Sequence, residues 1–303
     1  MGRLLVALAA LALLAPASAT AAFPGRNGPI AFGWHELEED ELGTRPPREL
    51  RALRTVPPRG GTATTLLRCE RVGDVETGAC AATAYAAPAY SPDGTRLAFD
   101  GGERLGLLDA DGGGTVRLLP PRGADPGHPA FAPTGTRLAF DAVDAAGRRQ
   151  LWISDIFGAN ARRLTGRGGA APAWSSRGVI AFERGGQLFA VRPDGRGLRQ
   201  LTGRGGRAPT WSPHGTQLAF VRGRAGALIV MRADGSRLRR VPGVGGVESV
   251  RWSPDGRRLA FEGFDAGVLT IDPDGGRERL LVTEAVGATV VQATRGIDWQ
   301  PLR

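Results

Sequence analysis

The sequence predicts an all-β fold, a six-bladed β-propeller of four-stranded antiparallel blades closed by pairing of the N- and C-terminal strands. Three observations predict it. A ten-residue pattern recurs along the chain, with aromatic heads at 90, 131, 174, 211 and 252, a period near 41 residues. Complementary halves of the same pattern stand near the two ends. Glycine (46) and proline (22) punctuate the chain too densely for long helices. A period of this length is what one four-stranded blade needs.

The first residues stand apart from this pattern. Met1-Gly2-Arg3 is a short cationic start, Leu4 to Leu14 is unbroken Leu, Val and Ala, and Ala17-Ser18-Ala19 and Ala19-Thr20-Ala21 are small-residue cleavage sites. Eleven apolar residues fall short of the roughly 20 a membrane span requires. No cysteine follows to carry a lipid. Residues 1–21 are therefore expected to be a cleaved signal peptide. The mature chain, residues 22–303, is expected to be a single propeller domain, secreted or in the periplasm or cell envelope, with no transmembrane segment. About 280 residues suffice for one large core, burying roughly three quarters of the unfolded surface.

The repeats begin in full at Tyr90-Ser91-Pro92-Asp93-Gly94-Thr95-Arg96-Leu97-Ala98-Phe99. The pattern returns at Phe131 to Phe140, at Trp211 to Phe220 and at Trp252 to Phe261, with a shortened copy from Trp174 to Phe182. Pro92 presets φ for the second position of a turn, Asp93 suits the third, and Gly94 supplies a left-handed residue, so each copy is a tight hairpin. Leu-Ala-Phe opens the next strand. A third strand such as Gln187–Val191, a turn at Pro193-Asp194-Gly195 and a closing Leu198–Thr202 complete the unit. The small central Ala fits where neighbouring sheets converge, and the aromatics fill the wedge between blades as core. Asn27–Phe32 is a second half of the motif and Ile297–Pro301 a first half. Pairing them makes the sixth blade and leaves no open sheet edge. Seven blades would need another patterned stretch, which the chain lacks.

The Trp-Ser-Pro-Asp-Gly, two residues, Leu-Ala-Phe pattern resembles the WD40-like repeat of the TolB family, from about Asn27 to Pro301. The resemblance implies an exported six-bladed propeller that acts through protein contacts, in TolB itself with the Tol and Pal envelope system. TolB carries a separate domain before its propeller. Here the first repeat begins within a few residues of the expected cleavage site, so a single-domain relative without the TolB N-terminal domain is expected, and the Tol-Pal role is not carried over.

Cys69 and Cys80, the two cysteines, lie eleven positions apart and read as one local disulfide in an exported chain. A two-thiolate metal site would need further ligands, and none of the three histidines lies within thirty positions of either cysteine. All 39 basic residues are arginine, and the formal net charge is +9. That uniformity fits the codon bias of a high-GC genome and weakens any partner inferred from charge alone.

Strand order places the loops from the fourth strand of one blade to the first of the next on one face, with the second-to-third loops; the Pro-Asp-Gly turns lie opposite. Blade one has two insertions on the first face, about 33–49 and about 68–87, and long loops on a rigid scaffold are where function concentrates. Arg122, Arg167, Arg204, Arg207 and Arg295 fall in inter-blade loops of that face, while Glu36, Glu38, Glu39, Asp40 and Glu41 crowd the first insertion. The candidate interaction face pairs this basic ring with an anionic ligand or acidic partner segment, the acidic insertion competing as an internal lid. Solvated loop charges are the bland alternative.

No catalytic constellation is legible. There is no Gly-x-Ser-x-Gly elbow, His214 occupies a turn position, His35 lacks the two-histidine zinc pattern, and His128 sits before Pro129 in a loop. Asp100, Asp141, Glu183 and Glu262 recur just after the Phe of their repeats. They read either as strand-end hydrogen bonds to a neighbouring blade or as cation ligands in the channel. No cofactor is expected. The expected function is a non-catalytic protein-binding or scaffold module, a monomer whose partner is another envelope protein; nucleic acid is excluded by export and by the lack of aromatics among the basic residues. The alternative is a small molecule or glycan in the channel, with or without lyase or hydrolase activity. A deep pocket with converging polar groups favours that alternative, and a shallow aromatic face favours the protein partner.

Overall fold

A computed structural model describes residues 25–38, 46, 48–72, 74–78, 80, 85–119, 124–263, 267–282 and 290–302. Six antiparallel sheets surround a channel. Blade two comprises Ala86–Tyr90, Arg96–Asp100, Leu105–Asp109 and Arg117–Leu118, from the channel outward. Blades three to six repeat this order, with inner strands Ala124–Phe131, Ala170–Trp174, Arg207–Trp211 and Val247–Trp252. In blade one the innermost strand is the C-terminal Val290–Leu302, paired with Arg26–Glu38, and Arg48–Val56 and Thr64–Val72 follow outward. The ring is closed by the two ends of the chain, as the split motif predicts.

The recurring turn is built as its residues dictate. Gly94 N–H donates to Ser91 O at 2.8 Å, Ser91 Oγ accepts Arg96 N–H at 2.9 Å, and Asp93 Oδ1 accepts Thr95 N–H at 3.1 Å. Gly94 has φ 72°, and a side chain there would run into the Pro301 carbonyl of the closing strand, so glycine is required twice over.

Each blade interface holds its own hydrophobic core. The fully buried Ala of one Leu-Ala-Phe shares a core with the Leu (or Ile) and Phe of the next blade: Ala98 with Leu138 and Phe140, Ala139 with Ile180 and Phe182, Ala181 with Leu218 and Phe220. The interlock continues with Ala219 and Phe261, Ala260 and Phe32, Ala31 and Phe99, and so closes on itself. Period-2 alternation sends Ala to one face and its two large neighbours to the other, which lets sheets converge on one side and wedge apart on the other.

Arginine fastens the outside. The first residue of the fourth strand reaches the third-to-fourth turn of the next blade: Arg199 donates to Ala233 O at 2.9 Å, Arg239 to Pro273 O at 2.6 Å, and Arg279 to Arg59 O at 3.3 Å. Arg162 makes the same contact with Pro193 O, and Arg117 stacks on Phe157 with 4.9 Å to the ring centroid. Part of the basic excess is therefore scaffold.

Blade one departs from the expectation of long loops. The first insertion is largely strand, because Arg26–Glu38 and Arg48–Val56 stay in register from Ile30↔Val56 to Glu38↔Arg48. The second adds a fifth, edge strand, Val75–Gly78. Ion pairs brace the projecting sheet, among them Arg48–Glu70 at 2.6 Å, Arg71–Glu49 at 2.7 Å and Arg51–Glu76 at 2.8 Å, and a hydrogen bond joins His35 Nε2 and Glu49 Oε1 at 3.0 Å. Cys69 and Cys80 are joined in a disulfide at its outer edge. The trio Cys69, Glu76 and Cys80 has the spacing of a metal site, but both sulfurs are consumed by the bond. Closing so short a loop contributes about 3 kcal/mol on the chain-entropy estimate. The double variant Cys69→Ser/Cys80→Ser should lose amide protection across Thr64–Gly78 while the calorimetric midpoint falls by only about 5 °C or less, because the ring interlock is untouched.

Candidate functional site

The inner strands carry a repeated irregularity that shapes the channel mouth. Ala87, His128, Ala171 and Ala208 all have left-handed φ, between 44° and 50°, and Gly296 matches them at 72°. Each of the four non-glycine residues precedes a proline and lies at a shift in strand register. The bulge turns amides toward the preceding blade. Ala171 N–H donates to Asp141 Oδ2 at 2.6 Å and Ala208 N–H to Glu183 Oε1 at 2.7 Å.

Two of the four recurring acids thus bond to a neighbouring blade. Asp100 Oδ1 accepts Gly102 N–H at 2.8 Å and Glu262 accepts the Ser249 hydroxyl, both bonds lying within one blade. Among the described residues these acids do not bring three metal-ligand atoms together.

Asp141 is the centre of a charged cluster. Fully buried, it accepts from Ala171, from His128 Nδ1 at 3.0 Å and from Arg149, which also grips Asp125. Burial disfavours the Asp141 charge, but the His128 hydrogen bond and the cations around it hold its pKa below the usual aspartate value. Burial likewise opposes the His128 charge, and the hydrogen bond to Asp141 with the carboxylates of Asp100 and Glu183 outweighs it, lifting the pKa. Burial raises Asp100 and Glu183 above their ordinary values. Deeper in, burial pushes Asp298 up to about 6 although Arg251 lies 3.7 Å away.

These groups line a cavity of about 350 Å³ at the channel mouth, walled by Asp100, His128, Glu183, Arg207, Ser249 and Glu262. The His128 ring is half exposed. Toward the Pro-Asp-Gly face the channel narrows to about 60 Å³ between Tyr90, Phe131, Trp174, Trp211 and Trp252. A wider groove of about 730 Å³ lies between blades five and six on that opposite face. It is shallow, and several of its charges are spent on the scaffold: Arg258 on Asp272 at 3.2 Å and Arg239 on Pro273 O.

The predicted interaction face divides under this geometry. Arg207 reaches the cavity, but its guanidinium donates to Glu248 O at 2.7 Å and Val247 O at 3.0 Å, so it is an inter-blade clasp. Arg167 and Arg204 are exposed in inter-blade loops. Arg295 lies on the closing strand opposite Gly33. Glu36 Oε2 accepts Trp34 Nε1–H at 3.3 Å. Glu38 pairs through its backbone with Arg48, while Arg122, Glu39, Asp40 and Glu41 lie outside the described residues. His214 sits in a turn, as its repeat position predicts. His128, read as a loop residue, stands instead on an inner strand at the cluster's centre; its departure from Ala at the bulge position was the available signal.

The sequence matches the family model described as the TolB beta propeller domain over residues 70–254. The chain belongs to the TolB β-propeller family. No curated protein matches it. Among solved structures, TolB from Acinetobacter baumannii is similar with TM-score 0.67 and 20% identity, over 90% of this chain and 67% of that one. The putative TolB from Agrobacterium tumefaciens gives TM-score 0.64 and 17% identity, over 91% of this chain and 100% of that one. An oligogalacturonate lyase in complex with manganese is more distant, at TM-score 0.51 and 12% identity over 88% and 89% of the two chains. At such identities these structures speak to the fold. Among the described residues of this TolB-type propeller no helix is long and apolar enough to cross a membrane.

Proposed function

We propose that residues 22–303 form an exported, non-catalytic protein-binding module of the cell envelope, whose partner engages the face where the channel opens. Membership of the TolB propeller family carries the reading. The channel mouth supports it. Its acids and bases bond chiefly to one another and to the backbone. Among the described residues His128 hydrogen-bonds only Asp141, which gives it no hydroxyl or thiol to activate. The signal-like segment at 1–21 supports export.

One observation favours a second reading. A cavity of about 350 Å³ with converging polar side chains is within the range of small-ligand sites, so a small molecule or glycan in the channel is the alternative. Capture from an envelope extract on the immobilised mature chain tests the two together. A protein retained by the wild type and lost from His128→Ala supports the module. If the folded protein retains no protein, and sugars or small acids raise its melting temperature, the channel-ligand reading replaces it.

A further inference from the structure

The loops entering the inner strands of blades four and five share one sequence, Leu-Thr-Gly-Arg-Gly-Gly, at 164–169 and 201–206. Both are pinned in the same way. The Thr165 hydroxyl donates to Gln150 Oε1 at 3.1 Å and accepts Leu151 N–H at 2.9 Å, and Gln150 Oε1 also accepts Gly168 N–H at 2.9 Å. In blade five Thr202, Gln187, Leu188 and Gly205 repeat these bonds at 3.0, 2.9 and 2.9 Å. Arg167 and Arg204 therefore project into solvent from fixed backbone.

Each has a second arginine for a neighbour. Arg184 Nε donates to Gly168 O at 3.0 Å, and its guanidinium lies over Phe182 and Phe189, 5.0 and 5.1 Å from the ring centroids. Arg222 lies over Phe220 at 5.4 Å. Both stand two residues after the Phe of their repeats. Burial and the adjacent Arg167 hold Arg184 below the ordinary arginine value, and burial with Arg204 does the same to Arg222. Among the described residues none of the four has a carboxylate within 4.0 Å, whereas in blade three Arg148 and Arg163 share Asp144 and Arg149 holds Asp125 and Asp141. Two preorganised like-charged pairs on adjacent blades form an uncompensated positive rim.

We propose that these two arginine pairs are a docking surface for an acidic segment of the partner protein, laid along the rim of blades four and five. The proposal rests on the protein-binding reading and names the chemistry of its partner. Two separate pairs, each on its own aromatic platform, suit a run of carboxylates better than one compact anion, and Arg guanidinium forks match carboxylate geometry.

The test is binding of a fluorescent eight-residue oligoglutamate to the mature chain at low and moderate salt. Arg167→Glu/Arg204→Glu should weaken it about tenfold or more and flatten its salt dependence, whereas Arg257→Glu on the opposite face should leave it unchanged. Both altered loop residues are exposed, and unchanged melting curves establish that the ring is intact. Equal binding by the wild type and the double variant overturns the proposal. So does complete displacement by millimolar inorganic phosphate, which marks a simple anion site. If the captured envelope protein is still held by the double variant, the module stands and this surface fails. If arginine-dependent oligoglutamate binding is found but no protein is captured, the surface stands and the module fails.

Discussion

Deleting residues 296–303 should abolish cooperative unfolding, leaving a chain that aggregates. The closing strand supplies Ile297 and Trp299, both essentially buried, to the core between blades six and one. Trp299 Nε1 donates to Gly28 O at 2.8 Å, Asp298 Oδ2 accepts Tyr90 N–H at 2.6 Å, and Gln300 Nε2 donates to Gly94 O at 2.8 Å. One strand therefore ties both ends of the chain and blade two together. Losing a buried aromatic alone costs about 3–5 kcal/mol, and total stability is only about 5–15 kcal/mol. Without the strand an open edge and an apolar face are exposed together. The graded version is Trp299→Ala, for which calorimetry should show a midpoint lower by about 10 °C. Trp299→Phe should recover more than half of that loss. A truncated protein that melts cooperatively near the wild-type temperature would show that the ring does not depend on its closure.

The second large effect is expected at Asp141. Replacing it with Asn leaves Arg149 and His128 without their buried counter-charge, at about 1–3 kcal/mol because both cations are partly exposed and screened by solvent. Its pH signature is specific. The lowered Asp141 pKa contributes stability that is present above about pH 4, the unfolded value, and is lost as acid takes the pH through the lower folded value. The raised His128 pKa contributes stability that is complete below about pH 6.5 and lost as the pH rises through its higher folded value. The difference between wild type and Asp141→Asn should be largest between about pH 4 and 6.5 and shrink on both sides. Asp298, pushed up to about 6 by burial, tilts both profiles alike and drops out of that difference. Denaturant melts across this range measure it.

The ring was legible because its determinants are local and repeated. A turn that needs Ser-Pro-Asp-Gly and a strand that needs a small residue between two large ones leave the same trace in every blade, and two half-motifs announce the closure. The channel mouth was less legible. That Asp141 and Glu183 reach across to the next blade depends on left-handed residues at Ala171 and Ala208, each followed by a proline, a context that favours extended backbone. Nothing in composition signals that exception. The extended sheet of blade one was hidden by the acidic run in the sequence from Glu38 to Glu41 and by Pro46-Pro47, which read as loop. The girdle of Arg199, Arg239 and Arg279 was visible as arginine at the head of the fourth strand in blades two to six, but 39 arginines in the chain concealed the period. Arg184 and Arg222 escaped for another reason: their partners Arg167 and Arg204 lie some eighteen positions earlier in sequence and meet them only across a folded loop.

The most direct test of the protein-binding account is amide hydrogen exchange of the mature chain with and without the protein it captures. The account predicts new protection at the channel mouth, in Ala124–Phe131, Ala170–Trp174 and Arg207–Trp211 and the loops before them, with the Pro-Asp-Gly turns unchanged. Protection confined to those turns, or none anywhere under saturating partner, would contradict it.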